Sequence, residues 1–67
     1  MIEVIVNGEP RHLPAGIDVA DLVAQLIATP KGVAVAIDRE VVPRSAWSST
    51  VLASGQVVEI VTAAAGG

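Results

Sequence analysis

Residues 2–13, "IEVIVNGEPRHL", decide the fold that this sequence predicts. Apolar residues alternate along the first half, which predicts a strand with one buried face. The Asn7-Gly8 pair is the strongest two-residue hairpin signal, because a type I′ turn needs positive φ at both positions. Pro10 has no N–H to donate to a ladder, so we expect the returning strand to lie at a sheet edge.

The next stretch, residues 16–32 or "GIDVADLVAQLIATPKG", contains the single predicted helix. Asp18 can cap its N-terminus, and Asp21 complements the helix dipole in the first turn. Apolar residues follow at helical spacing and predict one buried stripe: Val19, Leu22, Val23, Leu26 and Ile27. Pro30 and Gly32 are expected to end the helix.

Three more strands are predicted in the second half of the chain. Residues 33–37 read as a buried strand, which a tight turn at Asp38-Arg39 joins to a short strand around Val41. Pro43 marks that short strand as a second sheet edge. A loop with a single helical turn near Trp47 leads to the last strand in "QVVEIVT", and we expect this tryptophan to fill the end of the core.

The resulting order, β-β-α-β-β-β, predicts an α+β fold of the β-grasp (ubiquitin-like) type. A mixed five-stranded sheet would pack on one helix, with the first and last strands adjacent and parallel at its centre. The two edge prolines are compatible with this strand order but do not force it. We expect one β-grasp domain over residues 1–62 and a flexible C-terminal Gly-Gly tail over residues 63–67, "AAAGG".

Composition argues against several classes of function. The net charge is -3 and only four basic residues are present, scattered along the chain, so nucleic-acid binding is not expected. No apolar run approaches the roughly 18 residues of a membrane span, and the first ten residues lack the features of a signal peptide. The absence of cysteine favours the cytoplasm, and nothing suggests an oligomer, so we expect a monomer when the protein is free.

The side chains offer no catalytic site, so we predict that the chain is not an enzyme. His12 is the only histidine, and no nucleophile or second metal ligand lies at a recognisable spacing from it. Asp18 and Asp21 lie one helical turn apart, but helix capping accounts for both. No glycine-rich phosphate loop or dinucleotide motif is present, and no bound cofactor or metal is expected.

The C-terminus is the remaining candidate for chemistry. Five extended residues reach at most about 17 Å, which is enough to cross the wall of another protein's active site. Gly66 and Gly67 lack a Cβ, so they can pass a constriction that excludes other residues. The carboxylate of Gly67 would be ionised and able to attack a nucleotide phosphate. The alternative is a frayed end without function.

The last strand also predicts a surface for a partner. If Val58 and Ile60 face the helix, then Val57, Glu59 and Val61 lie on the open face of the sheet. Ile5 would lie on the same face of the neighbouring strand. Grouped β-branched residues of this kind can form a docking surface for another protein, although ordinary surface apolarity is an equally good interpretation.

Three stretches resemble the thiamine-biosynthesis sulfur carrier family, ThiS, over almost the whole chain: "VNGEP" (6–10), "VAVAIDREVVPRSAW" (33–47) and "GQVVEIVTAAAGG" (55–67). The resemblance implies that an adenylating, ubiquitin-activating-like enzyme uses ATP to adenylate Gly67. A sulfurtransferase and cysteine desulfurase system would then convert the adenylate to a thiocarboxylate. Thiazole synthase would take the sulfur, with Gly66 as the small neighbour that lets the tail enter each partner.

Two other functions remain open at this stage. A related β-grasp carrier could supply sulfur for molybdopterin, amino-acid or tRNA thiolation. A ubiquitin-like modifier or a plain interaction domain is the alternative from a different class. A modifier would form isopeptide bonds with lysines, and an interaction domain would still function without Gly67.

Overall fold

The computed structural model describes residues 1–28 and 32–62 of the chain. Its strands are β1 (Ile2–Val6), β2 (Glu9–Leu13), β3 (Val33–Ile37), β4 (Glu40–Val42) and β5 (Val57–Thr62). One α-helix, α1 (Val19–Leu26), lies between β2 and β3, and a 3₁₀ helix (Arg44–Ser49) follows β4. The order of strands and helix predicted from the sequence is confirmed.

The five strands form one sheet in the order β2-β1-β5-β3-β4. β1 and β5 pair in parallel at the centre, while β2, β3 and β4 pair antiparallel with their neighbours. β2 contains Pro10 and β4 is followed by Pro43, and both strands lie at the edges, as a missing N–H donor requires. The β-grasp arrangement is therefore confirmed.

The core lies between α1 and one face of the sheet. Alternate residues of the central strands point into it, among them Val4 and Val58, which are fully buried. The helix contributes three buried residues to the same cluster: Val19, Leu22 and Val23. Because the buried side chains are almost all aliphatic, the core is held together by close packing of small branched groups rather than by aromatic contacts.

The helix begins as predicted but ends earlier. The backbone of Asp18 is extended, and its Oδ1 accepts the N–H of Asp21 at 2.8 Å. At the other end, Ile27 has left the helical region (φ -133°, ψ 120°), although its N–H still donates to the carbonyl of Val23. This extended backbone keeps the Ile27 side chain packed against the core, where Leu26 is also partly buried. The expected stop at Pro30 lies outside the described residues.

Trp47 closes one end of the core, as predicted. Its side chain is only 6% exposed, and its Nε1–H donates to the carbonyl of Val42 at 3.0 Å. The guanidinium of Arg44 lies over the ring, 4.8 Å from the ring centroid. The 3₁₀ helix that carries both residues takes the place of the single helical turn expected there.

Within the two described ranges of the chain, no helix combines the length and the hydropathy that crossing a bilayer would require.

Candidate functional site

β5 divides its side chains between the core and the open face of the sheet. Val58 and Ile60 point inward and are 0% and 9% exposed. Val57 and Val61 point outward and are 45% and 60% exposed, with the exposed Glu59 between them. The predicted alternation in β5 is confirmed.

The strands beside β5 extend this outward face. Ile5 of β1 lies in register with Val57 across the parallel pair and is half-buried. On the other side, two alanines of β3, at positions 34 and 36, lie opposite Val61 and Glu59. The structure therefore brings together the four predicted residues, which we call the open-face patch: Ile5, Val57, Glu59 and Val61. A role of this patch in docking stays a prediction.

The sequence reading missed one apolar residue on the same face. Val41 of β4 is 74% exposed and lies in register with Ala36, which itself lies opposite Glu59. Asp38 and Arg39, in the turn before β4, line a surface depression together with Val57 and Glu59. The period-2 alternation of β4 could have revealed Val41, but a three-residue strand gives a weak pattern.

Polar side chains border the patch on the β1–β2 side. Glu3 lies in register with His12, and the Oε2 and Nε2 atoms of the two side chains are 3.7 Å apart. Both side chains are largely exposed, so this contact contributes little to stability. In residues 1–28 and 32–62, no three His, Cys, Asp or Glu side chains are grouped so as to hold a metal ion.

Two turn side chains hold the ends of β5 in place. At its start, Asp38 Oδ1 accepts the N–H of Val57 at 3.0 Å, and the N–H of Asp38 donates to the Val57 carbonyl. Towards its end, the amide of Asn7 bonds both backbone groups of Ile60. Nδ2 donates to the carbonyl at 3.1 Å, and Oδ1 accepts the N–H at 2.8 Å. Sequence reasoning treated both residues as turn formers only.

β5 leads directly into the predicted sulfur-carrying tail. The strand ends at Thr62, and the sequence continues for five residues to Gly67. Gly66 and Gly67 lie outside the described residues, so the geometry that bears on them is that of β5 and of the side chains that fix it.

Comparisons with known proteins agree with this architecture. The family model described as "ThiS family" matches residues 4–67. A crystal structure of a thiamine biosynthesis protein (ThiS) from Geobacter metallireducens superposes with a TM-score of 0.84 at 29% identity, covering 98% of this chain and 100% of that one. A solution NMR structure of a thiamine biosynthesis protein from the same organism has a TM-score of 0.79 at 29% identity, with coverages of 98% and 88%.

No curated protein gives a significant match to the sequence. The family match nevertheless spans residues 4–67, and the ThiS crystal structure superposes over 98% of the chain. On this evidence, the chain belongs to the ThiS family.

Proposed function

We propose that this protein is a sulfur carrier for thiamine biosynthesis and that it carries sulfur as a thiocarboxylate on Gly67. The observation that carries the proposal is the family match, which continues beyond the last strand and through the Gly66-Gly67 pair. The structural neighbours support it, because each is a thiamine biosynthesis protein.

The chemistry would proceed in successive steps on the terminal carboxylate. An adenylating enzyme joins this carboxylate to the α-phosphate of ATP and releases pyrophosphate. The outer sulfur of a sulfurtransferase persulfide then attacks the carbonyl carbon and displaces AMP, which gives an acyl disulfide. A thiol of the sulfur-transfer system reduces the S–S bond of this intermediate, so that the thiocarboxylate is released and the thiol ends in a disulfide with the sulfurtransferase. The carrier itself supplies no catalytic group, so it acts as a cosubstrate rather than as an enzyme, and only its activating enzyme uses ATP.

The position of the tail suits this role. β5 lies at the centre of the sheet, paired with β1 on one side and β3 on the other, so the tail begins from a firmly held strand. The five remaining residues span at most about 17 Å, which allows the carboxylate to reach a recessed site while the folded domain stays outside. Glycine at position 66 leaves room for a narrow entrance.

The same surface can serve successive partners. The open-face patch lies on the strand that leads to the tail, so a protein that covers Val57 and Val61 also receives the C-terminus. We propose that the adenylating enzyme and thiazole synthase both use this patch, and that these reactions take place in the cytoplasm. Exposed valines at the centre of an interface would contribute through burial of apolar area.

The decisive experiment tests whether sulfur replaces one oxygen atom of the C-terminal carboxylate. The protein is incubated with ATP, the adenylating enzyme and a sulfur donor, and its intact mass is measured before and after. We expect one oxygen to be replaced by sulfur. Oxidation of Met1 produces almost the same change in mass, so the new sulfur is alkylated and located at Gly67 by fragmentation. A variant that lacks Gly67 and a variant with one added C-terminal residue should remain unmodified.

Other outcomes would identify the competing functions. If no sulfur appears at Gly67 with any adenylating enzyme tried, the carrier proposal is wrong. Isopeptide conjugates with lysines in cell extracts would indicate a modifier. If the thiocarboxylate forms but thiazole synthase cannot use it, the protein supplies sulfur to a different pathway.

A further inference from the structure

We infer that Asn7 is a positioning residue that fixes the point at which the C-terminal tail leaves the sheet. The functional part of this inference rests on the proposed sulfur-carrier role. Its structural part concerns the free protein and can be tested without any partner.

The need for such a residue arises because β1 is shorter than β5. The last ladder pair between the two strands joins Val6 to Val58, and the N–H of Asn7 donates to the Val58 carbonyl at 2.9 Å. The chain then turns away at Gly8, which has φ +83°. Ile60 is the next residue of β5 that directs its backbone groups toward β1, and among the described residues no β1 partner lies opposite it.

The side chain of Asn7 takes the place of the missing strand residue. Like a peptide unit, its amide carries both a donor and an acceptor, and it bonds both the carbonyl and the N–H of Ile60. In the described part of the chain, this is the last attachment of β5 on the β1 side, two residues before the strand ends at Thr62. Beyond Ile60, the strand pairs with β3 alone within residues 1–28 and 32–62.

Both the backbone and the side chain at position 7 favour asparagine. The backbone of Asn7 has φ +50°, in the left-handed region that glycine, asparagine and aspartate tolerate best. Of these three, only asparagine can donate to one backbone group of Ile60 and accept from the other. Aspartate would keep the acceptor and lose the donor, while glycine would keep the turn and lose both bonds.

Loss of the two Asn7–Ile60 hydrogen bonds should loosen the end of β5. Within residues 1–28 and 32–62, β3 would then be the neighbour that still holds Ile60–Thr62, so this end of the strand should open more often. A strand end that opens loses more conformational entropy when a partner orders it together with the residues that follow. This entropic cost weakens binding to the adenylating enzyme. The KM for adenylation should therefore rise while kcat changes little.

The structural part is tested by amide hydrogen exchange on the free protein. In N7G, the Ile60 amide should exchange roughly tenfold faster relative to the core amides, as expected for loss of two hydrogen bonds. N7D keeps the acceptor and should exchange more slowly than N7G. D38G is the matched control, because it removes the side-chain bond at the start of β5 and should accelerate Val57 but not Ile60. Equal acceleration of all core amides in N7G would reduce Asn7 to a general stability role and overturn the inference.

The functional part is tested by the kinetics of sulfur loading. N7G should raise the KM of the adenylating enzyme for the carrier severalfold, with kcat within about twofold of wild type. The KM for N7D should lie between those for wild type and N7G. I17V, which alters a buried residue outside β5, controls for a small loss of global stability and should leave the KM unchanged. If KM is the same in N7G and wild type, Asn7 does not position the tail. If wild type itself is never loaded, the proposed function fails, and the exchange data still decide whether Asn7 holds β5.

Discussion

At the scale of single residues, the turn between β3 and β4 contains one side chain that stabilises the fold and a neighbouring one that does not. Asp38 and Arg39 have φ of +49° and +72°, a region that strains most residues other than glycine by about 1 kcal/mol or more and aspartate less. The Asp38 side chain also stabilises the turn, because its Oδ1 accepts the N–H of Val57. Arg39 is exposed, and its guanidinium has no hydrogen-bond or ion-pair partner within residues 1–28 and 32–62.

Glycine substitutions should therefore have opposite effects at these adjacent positions. R39G relieves the strain without losing a contact, so we expect the free energy of unfolding to rise by about 0.5–1 kcal/mol. D38G relieves little strain, because aspartate tolerates this region, and it leaves the Val57 N–H without its acceptor, so we expect a net loss of about 0.5–1 kcal/mol. Urea denaturation followed by circular dichroism measures both. A loss of stability in R39G would show that its side chain contributes to the fold.

The other residue with a specific role in stability is Trp47. The sequence predicted its burial because a single tryptophan in an aliphatic chain is too large to be left exposed at no cost. The partner of its Nε1–H, the carbonyl of Val42, was not predictable, since it depends on how the 3₁₀ helix folds back on β4.

W47F removes the hydrogen bond to Val42 but keeps most of the buried aromatic surface. We expect the free energy of unfolding to fall by about 1–3 kcal/mol, because the ring is smaller and the Val42 carbonyl loses its donor. Thermal unfolding followed by circular dichroism measures the change without a tryptophan signal. A loss below about 0.5 kcal/mol would mean that water replaces the indole donor and that the end of the core tolerates a smaller ring.

At the scale of elements, helix α1 depends on its N-terminal cap. Asp18 Oδ1 accepts the Asp21 N–H, one of the donors that an eight-residue helix leaves unpaired at its start. D18A should lower the free energy of unfolding by about 1 kcal/mol. D18N keeps an oxygen acceptor at the same place and should cost far less. Chemical denaturation of both variants tests this, and equal losses would show that charge, rather than the capping bond, stabilises the helix.

The strands were more predictable than the contacts between them. Alternation marked β1, β3 and β5, and proline marked the edges, because both signals are local in sequence. The bonds from Asn7 to Ile60 join residues 53 positions apart, and those from Asp38 to Val57 span 19. Such pairs become visible only once the strand order is known. For the same reason, the end of α1 at Leu26 was missed, since packing of Ile27 overrides a helical pattern that continues past it.

At the scale of the whole molecule, the candidate site follows from the topology. The parity of β5 was readable from its sequence, so the four residues of the open-face patch could be named in advance. Val41 was harder to predict, because a three-residue strand gives a weak alternation and its place on this face depends on the pairing of β4 with β3. The tail was predicted from its two glycines, from the absence of catalytic side chains elsewhere and from the resemblance to a family, rather than from any contact in the fold.

The patch can be tested by comparing two equally exposed valines. Val61 lies in the patch and is 60% exposed, whereas Val51, 58% exposed, lies outside the five-stranded sheet in an isolated bridge with Asp18. We expect V61K to raise the KM of the adenylating enzyme about tenfold or more. The apolar contact that Val61 would make with the partner is lost, and the lysine charge must be desolvated when the interface forms. V51K places the same side chain away from the patch and should leave the KM unchanged.

V61K and V51K should have nearly the same free energy of unfolding, so a comparison of their KM values is not affected by differences in stability. Both valines are exposed, so each lysine can extend into water and should change the free energy of unfolding by less than about 0.5 kcal/mol. A difference in KM between V61K and V51K would then arise at the interface alone. If both variants load sulfur as fast as wild type, partners approach another surface of the domain. If both are equally impaired, the effect of lysine is one of overall charge, and the open-face patch has no special part in docking.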